Sequence, residues 1–331
     1  MPSVVVAGAS GYAGALAARL LHQHPDFELT AVTSRSDAGV RLDELYPYHR
    51  VPLTLDAFDV DELGGVDAAI VAYPHGASAP TVAELHEAGT KVVDLSADFR
   101  LRDPGTYAEW YGEHGAPSLF GHAVYGLPEL HRERIRESHL VANPGCYPTA
   151  TLVGLAPLAR AGLIGDVVVD AKSGVSGAGR APTQKTHFVT VAENVTPYGV
   201  GRHRHAPEID QELAGLGAQV TTTFTPHLLP LDQGELVSCY VTTTREIDQQ
   251  ELDALYEDAY GAEPFVEVAG APPGVRDVRD TNLCRLFAHA DERTGKVFVF
   301  SAIDNLWKGA ASQAVQNLNL MFGLDETAGL T

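Results

Sequence analysis

Apolar residues in the first 145 or so positions fall into short runs separated by stretches of helical spacing. Val4–Ala7 is a β-branched, wholly apolar run, the pattern of a strand buried on both faces. Tyr12–His24 carries apolar residues at helical spacing; Phe27–Thr33, Ala68–Ala72 and Lys91–Leu95 read as further strands, with a helix over Ala79–Ala88. This β-α-β order predicts a parallel sheet with right-handed crossovers. From about Val167 the pattern changes. Val167–Ala171, Gln219–Phe224, Leu236–Thr244, Asn282–His289 and Lys296–Ala302 are longer, often alternating segments rich in Val and Thr. Helical stretches at Pro207–Leu213 and Gln249–Tyr260 interrupt them, and an alanine-rich helix, Gly309–Met321, closes the series. The expected fold class is therefore α/β plus α+β: a parallel sheet followed by a mostly antiparallel sheet with helices on one face.

At 331 residues and 45% hydrophobic composition, the chain has enough length for two domains with substantial cores. No run of about 18 apolar residues is present, so a membrane span is not expected. Met1-Pro2-Ser3 lacks a basic leader region and runs directly into the first strand, which leads us to expect a cytoplasmic protein. The three cysteines include no C-x-x-C pair, which argues against a disulfide scaffold and against a structural metal site. Cys239 and Cys284 lie in strand-like apolar segments and read as small hydrophobes. The net charge of −20, from 23 basic and 43 acidic residues, disfavours nucleic acid as a partner. It also means that an anionic substrate must be caught by locally concentrated Arg, Lys or His.

The turn after the first strand reads Gly8-Ala9-Ser10-Gly11-Tyr12-Ala13-Gly14 and opens the first helix. Small residues there allow a tight turn and close approach of a pyrophosphate to the helix N-terminus, so Gly8, Ser10, Gly11, Tyr12, Ala13 and Gly14 are cofactor candidates in a Rossmann-type domain. The second strand ends in Val32-Thr33-Ser34-Arg35-Ser36, with no carboxylate before Asp37. Hydroxyls and a guanidinium at Ser34, Arg35 and Ser36 suit a 2′-phosphate, favouring NADP(H) over NAD; a solvated Arg35 is the bland alternative.

Cys146, in Asn143-Pro144-Gly145-Cys146-Tyr147-Pro148, stands at the start of a predicted helix, where unpaired amides favour the thiolate. A dinucleotide site plus a cysteine nucleophile points to attack on an activated carbonyl, a thioester, and its reduction to an aldehyde. Such chemistry needs a general acid/base. Gly201-Arg202-His203-Arg204-His205-Ala206-Pro207-Glu208 offers one: Pro207 suits position N1 of a helix, leaving His205 just outside it. A solvated basic turn is the other reading. Lys172–Arg180 is glycine-rich and either passes close to substrate or serves as a flexible linker. Arg100, beyond a strand's C-terminal end, either clamps a phosphate or pairs with Asp94 or Asp98.

These motifs carry a resemblance. Gly8–Gly14, Asp94–Arg100, Asn143–Thr149, Ser173–Arg180, His203–Ile209 and Asp304–Ala311 together resemble the N-acetyl-gamma-glutamyl-phosphate reductase family, within the aspartate-semialdehyde dehydrogenase superfamily, over essentially the whole length. The resemblance implies reduction of N-acetylglutamyl 5-phosphate to the 5-semialdehyde, with Cys146 as nucleophile, His205 as acid/base, and His203 the less favoured occupant of that role. It adds Pro74, Ser176, Gly177 and Asn305 to the cofactor set. Arg100, Asn143, Arg180, Lys185, Arg202 and His203 become the substrate set, with the Asn143 amide helping an oxyanion hole. No metal is implied. An NADP domain over residues 1–146 would be completed by 305–331, with a substrate and dimerisation domain over 147–304 and a homodimer or homotetramer as the assembly. The chain departs from the family at Gln233, where an arginine is usual. Three rivals stand beside this reading: a reductase acting on a carrier-protein-bound aminoadipyl or glutamyl phosphate, an aspartate-semialdehyde dehydrogenase, which the histidine cluster and C-terminal motif fit less well, and a catalytically silent NADP-binding sensor.

Overall fold

The computed structural model describes residues 1–61, 63 and 65–330. The chain divides into two compact units, Met1–Gly145 with Ala310–Thr331, and Cys146–Gly309. Cys146 thus opens the second unit, and the chain re-enters the first at Ala310, five residues later than the motif boundaries suggest.

In the first unit, β1 (Ser3–Ala7), β2 (Glu28–Thr33), β3 (Leu55–Asp56), β4 (Ala68–Val71), β5 (Lys91–Asp94), β6 (Val124–Tyr125) and β7 (Leu140–Ala142) form one sheet in the order β3-β2-β1-β4-β5-β7-β6. The pairings are parallel throughout. The short strands β3, β6 and β7 carry too few apolar positions to show as runs. Val4–Ala7 and Ala68–Val71 are wholly buried, as their unbroken apolar runs require.

The last helix, Ser312–Met321, is buried on every side. A helix buried all round must satisfy its polar side chains internally. Here the Gln313 and Asn317 amides both donate to the Gly126 carbonyl, at 2.7 and 2.9 Å, and Asn317 also donates to Asn143 Oδ1 at 3.0 Å. Lys91 Nζ donates to the Met321 carbonyl at the C-terminal end, where a cation complements the dipole. This segment is therefore part of the first unit's interior.

The second unit contains β8 (Ile164–Ser173), β9 (Thr196–Pro197), β10 (Thr223–Leu228), β11 (Glu235–Thr243), β12 (Val266–Val268), β13 (Cys284–Asp291) and β14 (Lys296–Ile303). The order is β12-β13-β14-β11-β8-β10-β9; β8 with β10 and β12 with β13 are parallel, and the remaining pairs antiparallel. β10 lies four residues beyond the expected Gln219–Phe224 because a proline does not end it. Pro226 has no N–H to give, yet its carbonyl accepts from the Tyr198 amide beside β9.

The helix Cys146–Arg160 packs against this sheet with Tyr147–Ala159 buried. Pro157 lies inside it and cannot donate to the carbonyl four residues back. That carbonyl, on Val153, accepts the Tyr260 hydroxyl instead, and Tyr256 donates to the neighbouring Gly154 carbonyl. Cys239 and Cys284 are buried strand residues, and burial pushes the Cys239 thiol up to about 12, which keeps it inert.

Candidate active site

The glycine turn of the first unit is closed by its own packing. Gly8 has φ +90, and a Cβ there would stand 2.8 Å from the Ala72 carbonyl oxygen. A Cβ on Gly14 would stand 2.3 Å from the Gly8 oxygen, so these positions admit no side chain. Gly11 is the N-cap of the helix Tyr12–His22 and supplies no side-chain cap, which leaves the first-turn amides, including those of Tyr12 and Ala13, to an external acceptor.

The Ser-Arg-Ser segment divides its work. Ser34 is 1% exposed; its hydroxyl accepts the amides of Ser36 and Asp37 and bonds Ser10 Oγ at 2.8 Å. It builds the turn that ties β2 to the glycine loop. Arg35 is exposed, with its guanidinium 4.4 Å over the Tyr73 ring and one nitrogen donating to the Ala77 carbonyl. Ser36 is exposed beside it, bonded to Asp37. Pro74 is exposed immediately beyond β4. A cradle that only hydrogen atoms can line, an uncapped helix start and a fixed guanidinium fit a dinucleotide phosphate.

The other candidates of the first unit are more heavily committed. Asp94 accepts from Ser78 and Ser96; Asp98 accepts the Gly76 and Ala79 amides and the Tyr107 hydroxyl. Burial lifts Asp94 to about 6. Arg100, 8% exposed, gives Nε to the Asn143 carbonyl at 2.7 Å and a terminal nitrogen to the Leu95 carbonyl at 2.8 Å. Asn143 follows β7 directly. Its side chain is fully buried, gives Nδ2 to the Pro144 and Ala310 carbonyls, and accepts from Asn317.

In the second unit, Cys146 is half-buried at the first turn of its helix. Tyr147 beside it joins the histidine pair: its ring lies 5.7 Å from His203, 5.9 Å from His205 and 5.4 Å from Phe224. Its hydroxyl meets that of Tyr198 at 3.0 Å. His205 is the N-cap of the helix Ala206–Gly215, so Pro207 takes N2 and not N1. His203 Nδ1 accepts the His205 amide at 3.2 Å, and burial holds its imidazole down to about 4. A neutral ring with Nδ1 engaged, wedged among Tyr147, Tyr198 and Phe224, positions His205 and is a poor candidate for the base.

Two features escaped the sequence reading. Gly309 lies against Cys146: a Cβ there would stand 2.7 Å from Cys146 Cβ. Glu235, first residue of β11, is fully buried with its carboxyl toward Cys146, and burial raises it to about 8. Gly309 belongs to the Asp304–Ala311 motif, yet chain order shows neither contact, because Cys146 is 163 residues from Gly309 and 89 from Glu235.

Asn305 follows β14 by two residues. It accepts the Gly234 amide at 2.7 Å and donates to Ser176 Oγ at 3.0 Å, both inside the second unit. The glycine-rich loop is not a flexible linker. A Cβ on Gly174 would stand 2.9 Å from the Asp232 oxygen, so the close approach is to neighbouring backbone; Gly177 is exposed. Gln233 spans the Asp280 and Asp304 carboxylates at 2.7 and 3.0 Å, which gives that position a structural task. Arg180, Lys185 and Arg202 are exposed along 180–202.

Two family models match, described as a semialdehyde dehydrogenase NAD binding domain over residues 3–138 and a semialdehyde dehydrogenase dimerisation domain over 146–305. The N-acetyl-gamma-glutamyl-phosphate reductase of Moorella thermoacetica is 49% identical, with 98% of this chain and 96% of that protein covered. The reductase of the same name from Desulforudis audaxviator is 50% identical, over 100% and 98%. The chain belongs to the N-acetyl-gamma-glutamyl-phosphate reductase family. Solved structures share the two-part fold of this family at lower identity. Aspartate semialdehyde dehydrogenase II of Vibrio cholerae superposes with a TM-score of 0.75 at 21% identity, covering 98% of each chain. Aspartate semialdehyde dehydrogenase with NADP from Candida albicans gives 0.73 at 14%, covering 97% and 98%. Among the described residues, no helix of this reductase-family chain is long and apolar enough to cross a membrane.

Proposed function

We propose that the chain reduces N-acetyl-L-glutamyl 5-phosphate to N-acetyl-L-glutamate 5-semialdehyde and phosphate through a thioester on Cys146. The observation that carries this reading is the meeting, at Tyr147, of the cysteine helix and the His203–His205 pair in a chain related end to end to reductases of that name. Cys146 Sγ attacks the acyl carbon, and the carbon–oxygen bond to phosphate breaks. Amides at Gly145 and Cys146 face the developing oxyanion. Gly8–Gly14 and Arg35 would hold NADPH, which would supply the hydride that reduces the thioester. His205 gives a proton to the substrate oxygen as hydride adds and takes it back as the thiohemiacetal collapses to the aldehyde and releases the sulfur. Arg100, Arg180, Lys185 and Arg202 draw the anionic substrate into an otherwise acidic protein.

The assembly we infer is a homodimer or homotetramer in the cytoplasm. Its support is the dimerisation-domain match and the half-exposed aromatic face of the second sheet, where Tyr240 and Phe298 pack at 5.5 Å. The test of function is NADP-dependent oxidation of N-acetylglutamate 5-semialdehyde with phosphate or arsenate, against aspartate semialdehyde as competitor. Preference for aspartate semialdehyde would overturn the substrate.

A further inference from the structure

Glu235 has no part in the reaction as set out above, yet it is a fully buried carboxyl in the unit that holds the nucleophile. It opens β11, opposite Ser173 of β8 and Ile303 of β14, so its backbone is fixed on both sides. Neither carboxylate oxygen has a well-formed hydrogen-bond partner. The one group close enough to favour its ionised form is the Cys146 thiol, while Asp304 opposes ionisation. The groups facing it are Cys146 and Tyr147 from the nucleophile helix, Tyr198 from the loop after β9, and Asp304 beyond β14. None of these is cationic. Of these groups only the Cys146 thiol can give a carboxylate there a proton, and a buried charge with no such partner is strongly disfavoured.

We propose that Glu235 is the proton partner of the Cys146 thiol, the two groups sharing one proton. As Sγ bonds to the acyl carbon, the S–H bond breaks and an O–H bond forms on Glu235, while phosphate leaves with the electron pair of its own bond. When the carbon–sulfur bond later breaks, the sulfur takes that electron pair and the carboxyl proton returns to it. No further reactant enters. His205 is thereby left for the substrate oxygen. Burial lifts the carboxyl to about 8, within the range of a free thiol, which is the condition for two groups to exchange a proton without a large penalty. Coupled groups of this kind titrate in two macroscopic steps.

The inference rests on Cys146 as nucleophile, and the test separates the two. Iodoacetamide alkylation of the Cys146 thiol is followed against pH in the wild type, Glu235→Gln and Glu235→Leu, with Cys146→Ser as the label control. The wild type should show two inflections and both variants one, with kcat falling at least tenfold and KM changing less than threefold. Both variants remove a desolvated carboxyl, so they are expected to fold at least as well as the wild type. Alkylation profiles of the variants superimposable on the wild type would overturn the proton-sharing role. Wild-type turnover in Cys146→Ser would instead overturn the nucleophile.

Discussion

The glycine turn of the first unit and the cysteine–histidine cluster of the second solve the problem of building a site in opposite ways. Gly8–Gly14 is contiguous, and its geometry follows from the missing side chains of two or three residues. The cluster gathers Cys146, Tyr198, His205, Glu235 and Gly309 from separate elements, so each is held by packing from elsewhere. A local site fails where its own backbone is altered. A dispersed site fails wherever a neighbour moves.

Substitutions can break or sharpen that contrast. Cys146→Ser should lower turnover by about 10³-fold or more while leaving NADPH binding, read by fluorescence titration, unchanged. His205→Asn should reduce kcat by about 10²–10⁴-fold and remove an inflection from the pH–rate profile; an unchanged profile moves the base elsewhere. Gly309→Ala should cost about 10²-fold in kcat, because the added methyl collides with Cys146 and misplaces the sulfur. Its NADPH affinity should hold, as isothermal titration would report. Gly14→Ala should do the reverse in kind: the methyl meets the Gly8 oxygen, lowering stability by about 1–3 kcal/mol and weakening NADPH binding before it touches the chemistry. Thermal melts with and without NADPH measure both effects.

The smallest expected effect is on pH-dependent stability. Glu235 holds its proton more tightly folded, near 8, than unfolded, near 4.5. The native state then binds more protons between those values, so stability falls as pH rises through that window, by at most roughly 1.4 kcal/mol per pH unit. Glu235→Gln should flatten that slope in denaturant titrations from pH 5 to 8; an unaltered slope would mean that Glu235 ionises in the native state as it does when unfolded.

The strand runs, the glycine turn and the motif around Cys146 were legible because their signals are local: an apolar run marks a doubly buried strand, and a missing Cβ marks a close approach. The same reasoning did not show how polar side chains are engaged: Asn143, Asn305 and Ser34 stand in motifs as ligand candidates, and each also holds hydrogen bonds to the protein. A buried amide or hydroxyl must find partners, and the nearest were carbonyls and amides that chain order does not reveal.

By itself, then, the amino-acid sequence determined the two-part α/β and α+β plan, the tight glycine turn and the place of Cys146 at a helix start, all of which depend on contiguous residues. Tertiary structure decided which polar groups remain available for chemistry. It set Gln233 on Asp280 and Asp304, turned His203 into a support for His205, and buried Glu235 beside Cys146. Hydrogen-bond partners and desolvation are properties of three-dimensional neighbours, and those neighbours come from residues tens to hundreds of positions away.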